Sequence, residues 1–155
     1  MAKSQYWLMK SEPDVFSIDK LKKEKKTLWD GVRNYQARNF MRDQMKPGDQ
    51  VLFYHSNATP PGIAGLAEIS KETVPDPSQF DSSGEYFDPK ASCEKPRWFC
   101  VTVSYKQKFK NFISLDELRK NKDLKDLLVI KKGQRLSIQP VQKKEFDLIC
   151  KMGGL

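Results

Sequence analysis

The sequence has little of what most catalytic sites are built from. It contains one histidine, His55, and three cysteines, Cys93, Cys100 and Cys150, in 155 residues. An odd, scattered set without C-x-x-C spacing argues against a disulfide framework and a structural zinc site, and leaves ordinary reduced thiols. No apolar run approaches the roughly 20 residues that a bilayer span needs. The N-terminal MAKSQYWLMKSEPD lacks the apolar stretch and cleavage site of a secretory signal. No Walker loop, no G-x-G-x-x-G and no EF-hand spacing is present, so neither cofactor nor metal is expected. Such a chain is expected in the bacterial cytoplasm, or in the nucleus if eukaryotic, away from membranes.

A lone histidine also weakens the case for acyl transfer, which needs a base beside its nucleophile. If QVLFYHSN is a strand, His55 and Ser56 point to opposite faces. A hydrogen-bonded structural role is therefore expected for His55. Lys10, Glu12 and Asp30 carry acid–base groups, but the sequence supplies no paired geometry for them. No enzyme is expected on these grounds.

Charge is what the chain does have. Lysine and arginine total 28 against 20 acidic residues, a net charge of +8. That balance raises the expectation of a polyanionic partner, because each phosphate neutralised by Lys or Arg releases counterions. The plainer alternative is that basic charge only keeps the protein soluble. With 38% hydrophobic and 31% charged residues, the chain can bury a modest core. Its length fits a single domain over residues 1–155.

Strands are expected at YWLMK (6–10), QVLFYHSN (50–57), GIAGLAEIS (62–70), WFCVTVSYKQKFK (98–110) and RLSIQPV (135–141). In the second of these, Val51, Phe53 and His55 share one face, and Leu52, Tyr54 and Ser56 the other. Ser17 can cap a helix over 18–26, and Asn34 one through YQARNFMRDQM with Ala37, Phe40, Met41 and Met45 as its apolar stripe. Ser114 and Glu117 form a capping box for a helix from Leu115 to about Leu124, and KKEFDLICKM reads as a last amphipathic helix. Gly62 and Gly65 suggest a bend or a close backbone approach. Residues 72–96 form a long irregular stretch, a length that inside a compact domain points to function or disorder. Strands and short helices without βαβ alternation favour an α+β domain with a small, strongly bent sheet or barrel.

One stretch does not fit a plain core. LWDGVRNYQARNFM, residues 28–41, sets Trp29 beside an Asp-Gly turn and follows it with Arg33, Asn34 and Tyr35. A core tryptophan wants apolar neighbours, whereas one that stacks on a flat polar ligand wants hydrogen-bonding groups close by. Read alone, Trp29 is a partly buried core residue with its N–H on a carbonyl.

YWLMKSEP, LWDGVRNYQARNFM, QVLFYHSN, GIAGLAEI, FDPKASCEKPRWFCV and GQRLSIQPV, in that order, resemble the EVE domain family over nearly the whole chain. The resemblance implies a PUA-like fold, a mixed β-barrel edged by short helices and related to the YTH readers of methylated adenine. It also implies binding of nucleic acid, DNA ahead of RNA, at a modified base such as methylated or hydroxymethylated cytosine, without catalysis; a monomer is expected. On that basis Trp29 stacks on a base flipped from its strand, and Asp30, Gly31, Val32 and Asn34 read its edge. Lys10, Ser11 and Asn57 hydrogen-bond the base or sugar. Glu12, Tyr54, Ser56, Gly62 and Ser137 complete the implied pocket. The second aromatic stays open among Tyr54, Tyr86, Phe87 and Trp98. Arg33, Arg38, Arg42 and Arg135 are implied phosphate contacts, Arg38 and Arg42 lying one turn apart. Two rival readings remain: an ASCH-type enzyme acting on RNA or an acylated nucleoside, and an aromatic cage for methylated lysine. The pocket's Lys, Arg, Ser and Asn lining disfavours the cage.

Overall fold

Tyr6–Ser11, strand β1, is buried on both faces, because the sheet it joins carries a hydrophobic core on each side. Trp7 and Met9 enter one core and Leu8 the other. The computed structural model describes residues 4–133 and 136–155. The same alternation runs along β3, Gln50–His55, where Val51 and Phe53 face the first core and Leu52 and Tyr54 the second. The sequence-level division of that strand into two faces is therefore how the protein is built.

β1 and β3 pair in parallel, in the register Leu8↔Leu52. A parallel pair needs a long crossover, supplied here by helix α1 (Ile18–Glu24), strand β2 (Lys26–Leu28) and helix α2 (Tyr35–Asn39) with its wider π turn (Phe40–Gln44). Every other strand pair is antiparallel. Two long strands follow, β4 (Gly62–Pro75) and β5 (Phe99–Ser114), with helix α3 (Leu115–Lys120), strand β6 (Ile138–Val141) and helix α4 (Lys143–Met152) completing the chain. α1 and α2 cover the first core through Ile18, Leu21 and Ala37, and α3 and α4 cover the second through Leu118, Phe146 and Ile149.

β4 and β5 change register four times along their pairing. Near one end, a Cβ on Gly62 would lie 2.1 Å from the Ile113 carbonyl oxygen, and one on Gly65 would lie 2.6 Å from that of Gln107. Only glycine lets the two backbones approach so closely. Of the two alternatives expected at these glycines, a bend or a close backbone approach, the structure shows the close approach, between neighbouring strands.

The strand order is β2-β5-β4-β3-β1-β6. This is the α+β, mixed-sheet architecture expected, with one correction: β2 and β6 do not pair, so the sheet is bent but not a closed barrel. These edges are only three and four residues long, and they stand at the two ends of the strand order. Other boundaries moved as well. α1 stops at Glu24 because Lys25 takes φ 72°, and the chain turns straight into β2. Residues 72–75 extend β4, and Pro77–Phe80 form a 3-10 turn, so the irregular stretch is shorter than its composition suggests.

Candidate functional site

A cleft of about 680 Å³ opens at the side of the sheet where β1 and β2 end. It is lined by Lys10–Glu12 with Val15 and Phe16, by residues 27–34, by Glu85 and Tyr86, and by Ser137. Both edges of the sheet border it: β2 contributes Thr27 and Leu28, and Ser137 immediately precedes β6.

Trp29 is set in place by its own backbone, whose N–H donates to the Val101 carbonyl at 2.9 Å and so prolongs the β2–β5 pairing. Its ring packs edge-on with Phe53, centroids 5.7 Å apart, and it is 9% exposed. Among the described residues the indole N–H meets no acceptor, yet no buried side-chain nitrogen or oxygen lacks a partner. That N–H therefore reaches solvent, and Trp29 is one of the residues lining the cleft. Trp29 belongs to the core and to the cavity at once, which answers the question posed by its sequence neighbours.

Gly31 takes φ 77°, and the Tyr86 ring lies where its Cβ would be, 2.7 Å from Cε2. Any side chain here would be strained twice. The segment is held by Asp76, whose carboxylate is fully buried and accepts from Gly31 N (2.8 Å), Arg33 Nη1 (3.2 Å), Ser78 N (2.8 Å) and Ser78 Oγ (2.6 Å). Arg33 completes the clamp: Nε and Nη2 donate to the Tyr86 carbonyl and Nη2 also to Ser78 Oγ, while Nη1 donates to the Val32 carbonyl. Its guanidinium sits 5.6 Å from the Tyr86 ring and 5.1 Å from that of Trp98. Buried Gln79 ties the same loop to the start of β5, accepting from the Arg97 and Trp98 N–H groups and donating to the Trp98 carbonyl. Trp29 and Tyr86 both line the cavity and make no ring contact with each other.

The polar part of the lining is electrostatically perturbed. Burial pulls the Lys10 ammonium below its ordinary pKa. The carboxyl of Asp30 is pushed up by desolvation first and by the nearby Asp76 carboxylate second. The Ser11 hydroxyl donates to the Phe16 carbonyl (2.6 Å), and Glu12 accepts from Asn57. Asn34 caps α2, its Oδ1 accepting from Ala37 N at 3.0 Å.

Of the residues singled out in the sequence, Lys10, Ser11, Glu12, Trp29–Asn34 and Ser137 come together around the cleft. Tyr54, Ser56, Asn57 and Gly62 do not. Tyr54 belongs to the core on the opposite sheet face, and Ser56 N–H bonds the Ser11 carbonyl. Asn57 is exposed, and Gly62 is packed against β5. The expected phosphate contacts fare differently. All five N–H donors of Arg33 are engaged within the protein. Arg38 donates to Asn39 Oδ1 and the Arg97 carbonyl, and Arg42 is bidentate on Asp43. Arg135 lies outside the described residues. His55 has the structural role expected of it: its Nε2 accepts the Ile18 N–H at 3.1 Å. Sequence reasoning missed Asp76 and Gln79, and it left Tyr86 as one candidate of several. The only local signal was Asp76-Pro77-Ser78, a side-chain cap for a short turn.

Comparison with known proteins adds to this picture. The family model described as the EVE domain matches residues 5–152. Human thymocyte nuclear protein 1 is 44% identical over 168 residues, covering 96% of this chain and 74% of that protein. A crystal structure from Pseudomonas syringae superposes with a TM-score of 0.91 at 45% identity, covering 96% of this chain and 99% of that one. The human thymocyte protein in complex with DNA containing 5-methylcytosine superposes at 0.90 with 43% identity, covering 98% and 99%.

Proposed function

We propose, from the premise that this chain belongs to the EVE domain family, that it binds DNA at one modified base turned out of its strand into the cleft. Methylated or hydroxymethylated cytosine is the base class. The observation that carries this reading is that Trp29 and Tyr86 line one solvent-open cavity together with the polar groups of Lys10, Ser11, Asp30 and Asn34. The human relative crystallised with 5-methylcytosine DNA supports the choice of base and polymer. The cavity volume also falls in the range of about 300–1,000 Å³ usual for small-ligand sites. A single domain acting as a monomer suffices, because one chain supplies every wall.

Magnitudes bound what this site can do. Stacking on an aromatic ring contributes about 1–3 kcal/mol per base, and extruding a base costs a few kcal/mol. The two nearly cancel, so edge hydrogen bonds and phosphate contacts must supply the net affinity. One methyl group in an apolar notch is worth about 1–3 kcal/mol. A graded preference follows, not an absolute switch.

The test is a titration of matched oligonucleotides, plain and 5-methylcytosine-bearing, against the protein and a Trp29→Leu variant. Leucine is the better substitution because Trp→Ala in a packed site costs about 3–5 kcal/mol of stability. The variant should stay folded and lose the preference. Equal loss of affinity for both oligonucleotides would refute the pocket role of Trp29.

One observation favours an enzyme as the second reading: Lys10, lowered in pKa, and Asp30, raised, line the same cavity, and perturbed groups in a cleft are candidates for acid–base work. Turnover of RNA or of an acylated nucleoside that disappears in Lys10→Ala would select it.

A further inference from the structure

Arginines near the cleft are engaged inside the protein, whereas a run of lysines beside it forms no ion pair among the described residues, its one ring contact being Lys20 over Phe16 at 5.4 Å. Arg33, Arg38 and Arg42 donate to protein oxygens as described, and Arg97 bonds the Tyr35 hydroxyl and lies 3.6 Å from Asp88. By contrast Lys20, Lys22, Lys23, Lys25 and Lys26 are all exposed. Among the described residues no ion pair holds any of them. Glu24 is the one acid inside that run, and Asp19, just before it, is paired with Lys108 at 2.8 Å.

The placement follows from the fold. α1 buries Ile18 and Leu21, which turns its lysines outward. The positive φ of Lys25 then swings the chain into β2, where Lys26 is followed directly by the cleft residues Thr27 and Leu28. The charged run thus leads along one continuous segment to the mouth of the cavity.

We propose that Lys20–Lys26 is the surface that holds the sugar-phosphate backbone flanking the base in the cleft, an inference that rests on the cleft reading above. Seven helical residues extend about 10 Å, and one strand of DNA rises about 3.4 Å per nucleotide, so α1 spans about three phosphates. Lysine suits the task, since its ammonium is a point charge on a flexible stem and demands no fixed geometry. The surface contributes affinity without reading sequence, and discrimination stays with the cleft.

The experiment measures binding of a 5-methylcytosine oligonucleotide and its plain counterpart across a salt series. The variants are Lys22→Gln/Lys23→Gln/Lys26→Gln and, as control, Lys120→Gln/Lys122→Gln/Lys125→Gln on the opposite helical layer. Each triple lowers the net charge of +8 by three, so only location differs. The first should reduce the slope of log affinity against log salt by about 2–3 for both oligonucleotides, and leave the ratio between them unchanged. The control should keep the original slope. Equal flattening by both triples, or an unchanged slope in the first with the base preference intact, overturns the lysine surface and spares the cleft. Flattening in the first triple alone without any preference between oligonucleotides spares the surface and overturns the cleft reading. Binding of neither oligonucleotide by the unaltered protein overturns both.

Discussion

The Tyr86 ring rests against Gly31, so closely that a Cβ there would come within 2.7 Å of Cε2 and 2.9 Å of Cζ. The contact spans 55 positions of sequence and fixes one wall of the cleft. Gly31→Ala is therefore expected to lose about 1–2 kcal/mol from the left-handed backbone alone, and to push Tyr86 away from the cavity. Chemical denaturation should register the first effect. A reduced preference for the modified oligonucleotide at temperatures where the variant remains folded should register the second.

Asp76 holds that wall from beneath. Asp76→Ala leaves the Arg33 guanidinium and the Gly31 N–H without their acceptor, and breaking a buried pair costs about 3–5 kcal/mol. The lower end is expected, because the Arg33 side chain is 23% exposed and water can take over part of the role. Urea unfolding should show this loss, and limited proteolysis should find the 81–96 loop cleaved sooner than in the parent.

His55 predicts a pH dependence with a definite sign. Burial lowers its pKa, with Asp19 opposing and Lys108 assisting more weakly, and its Nε2 must stay unprotonated to accept from Ile18. The unfolded chain binds the proton more readily, so this residue's contribution is complete above about pH 6.5 and is lost as pH falls through its folded-state value. As the sole histidine it gives one imidazole signal in a proton NMR titration, and the midpoint should lie below 6.5. In His55→Gln the corresponding decline in stability should vanish.

The cysteines should differ sharply in reactivity. Burial pushes the Cys100 thiol up to about 12, helped by the Asp76 and Asp30 carboxylates, and raises Cys150 less. Cys93 is exposed. A thiol-specific reagent at mildly alkaline pH should modify one site quickly, Cys93→Ser should abolish that phase, and Cys100 should react only on unfolding.

What could be read in the sequence was what depends on neighbours along the chain. The caps at Ser17, Asn34 and Ser114 and the two-faced alternation of β3 stand where local chemistry put them. β2 was hidden, because Lys26-Thr27-Leu28 becomes a strand only through pairing with Val103 and its neighbours. Asp76 was hidden for the same reason: its partners Gly31 and Arg33 lie 45 and 43 residues away. The internal acceptors of Arg33 and Arg38 were hidden as well, since the Tyr86 and Arg97 carbonyls lie 53 and 59 residues away. Tyr54 was set among the pocket residues although strand parity already separated it from Val51 and Phe53.

The two outermost strands of the sheet never meet, and the gap that separates them is where the cavity lies. A molecule lodged there touches residues next to both margins and would act as a strut across the seam, linking segments that share no hydrogen bond of their own. Amide exchange in Lys26–Leu28 and Ile138–Val141 should then slow together on saturation with a tightly bound oligonucleotide, although more than a hundred residues of chain lie between them.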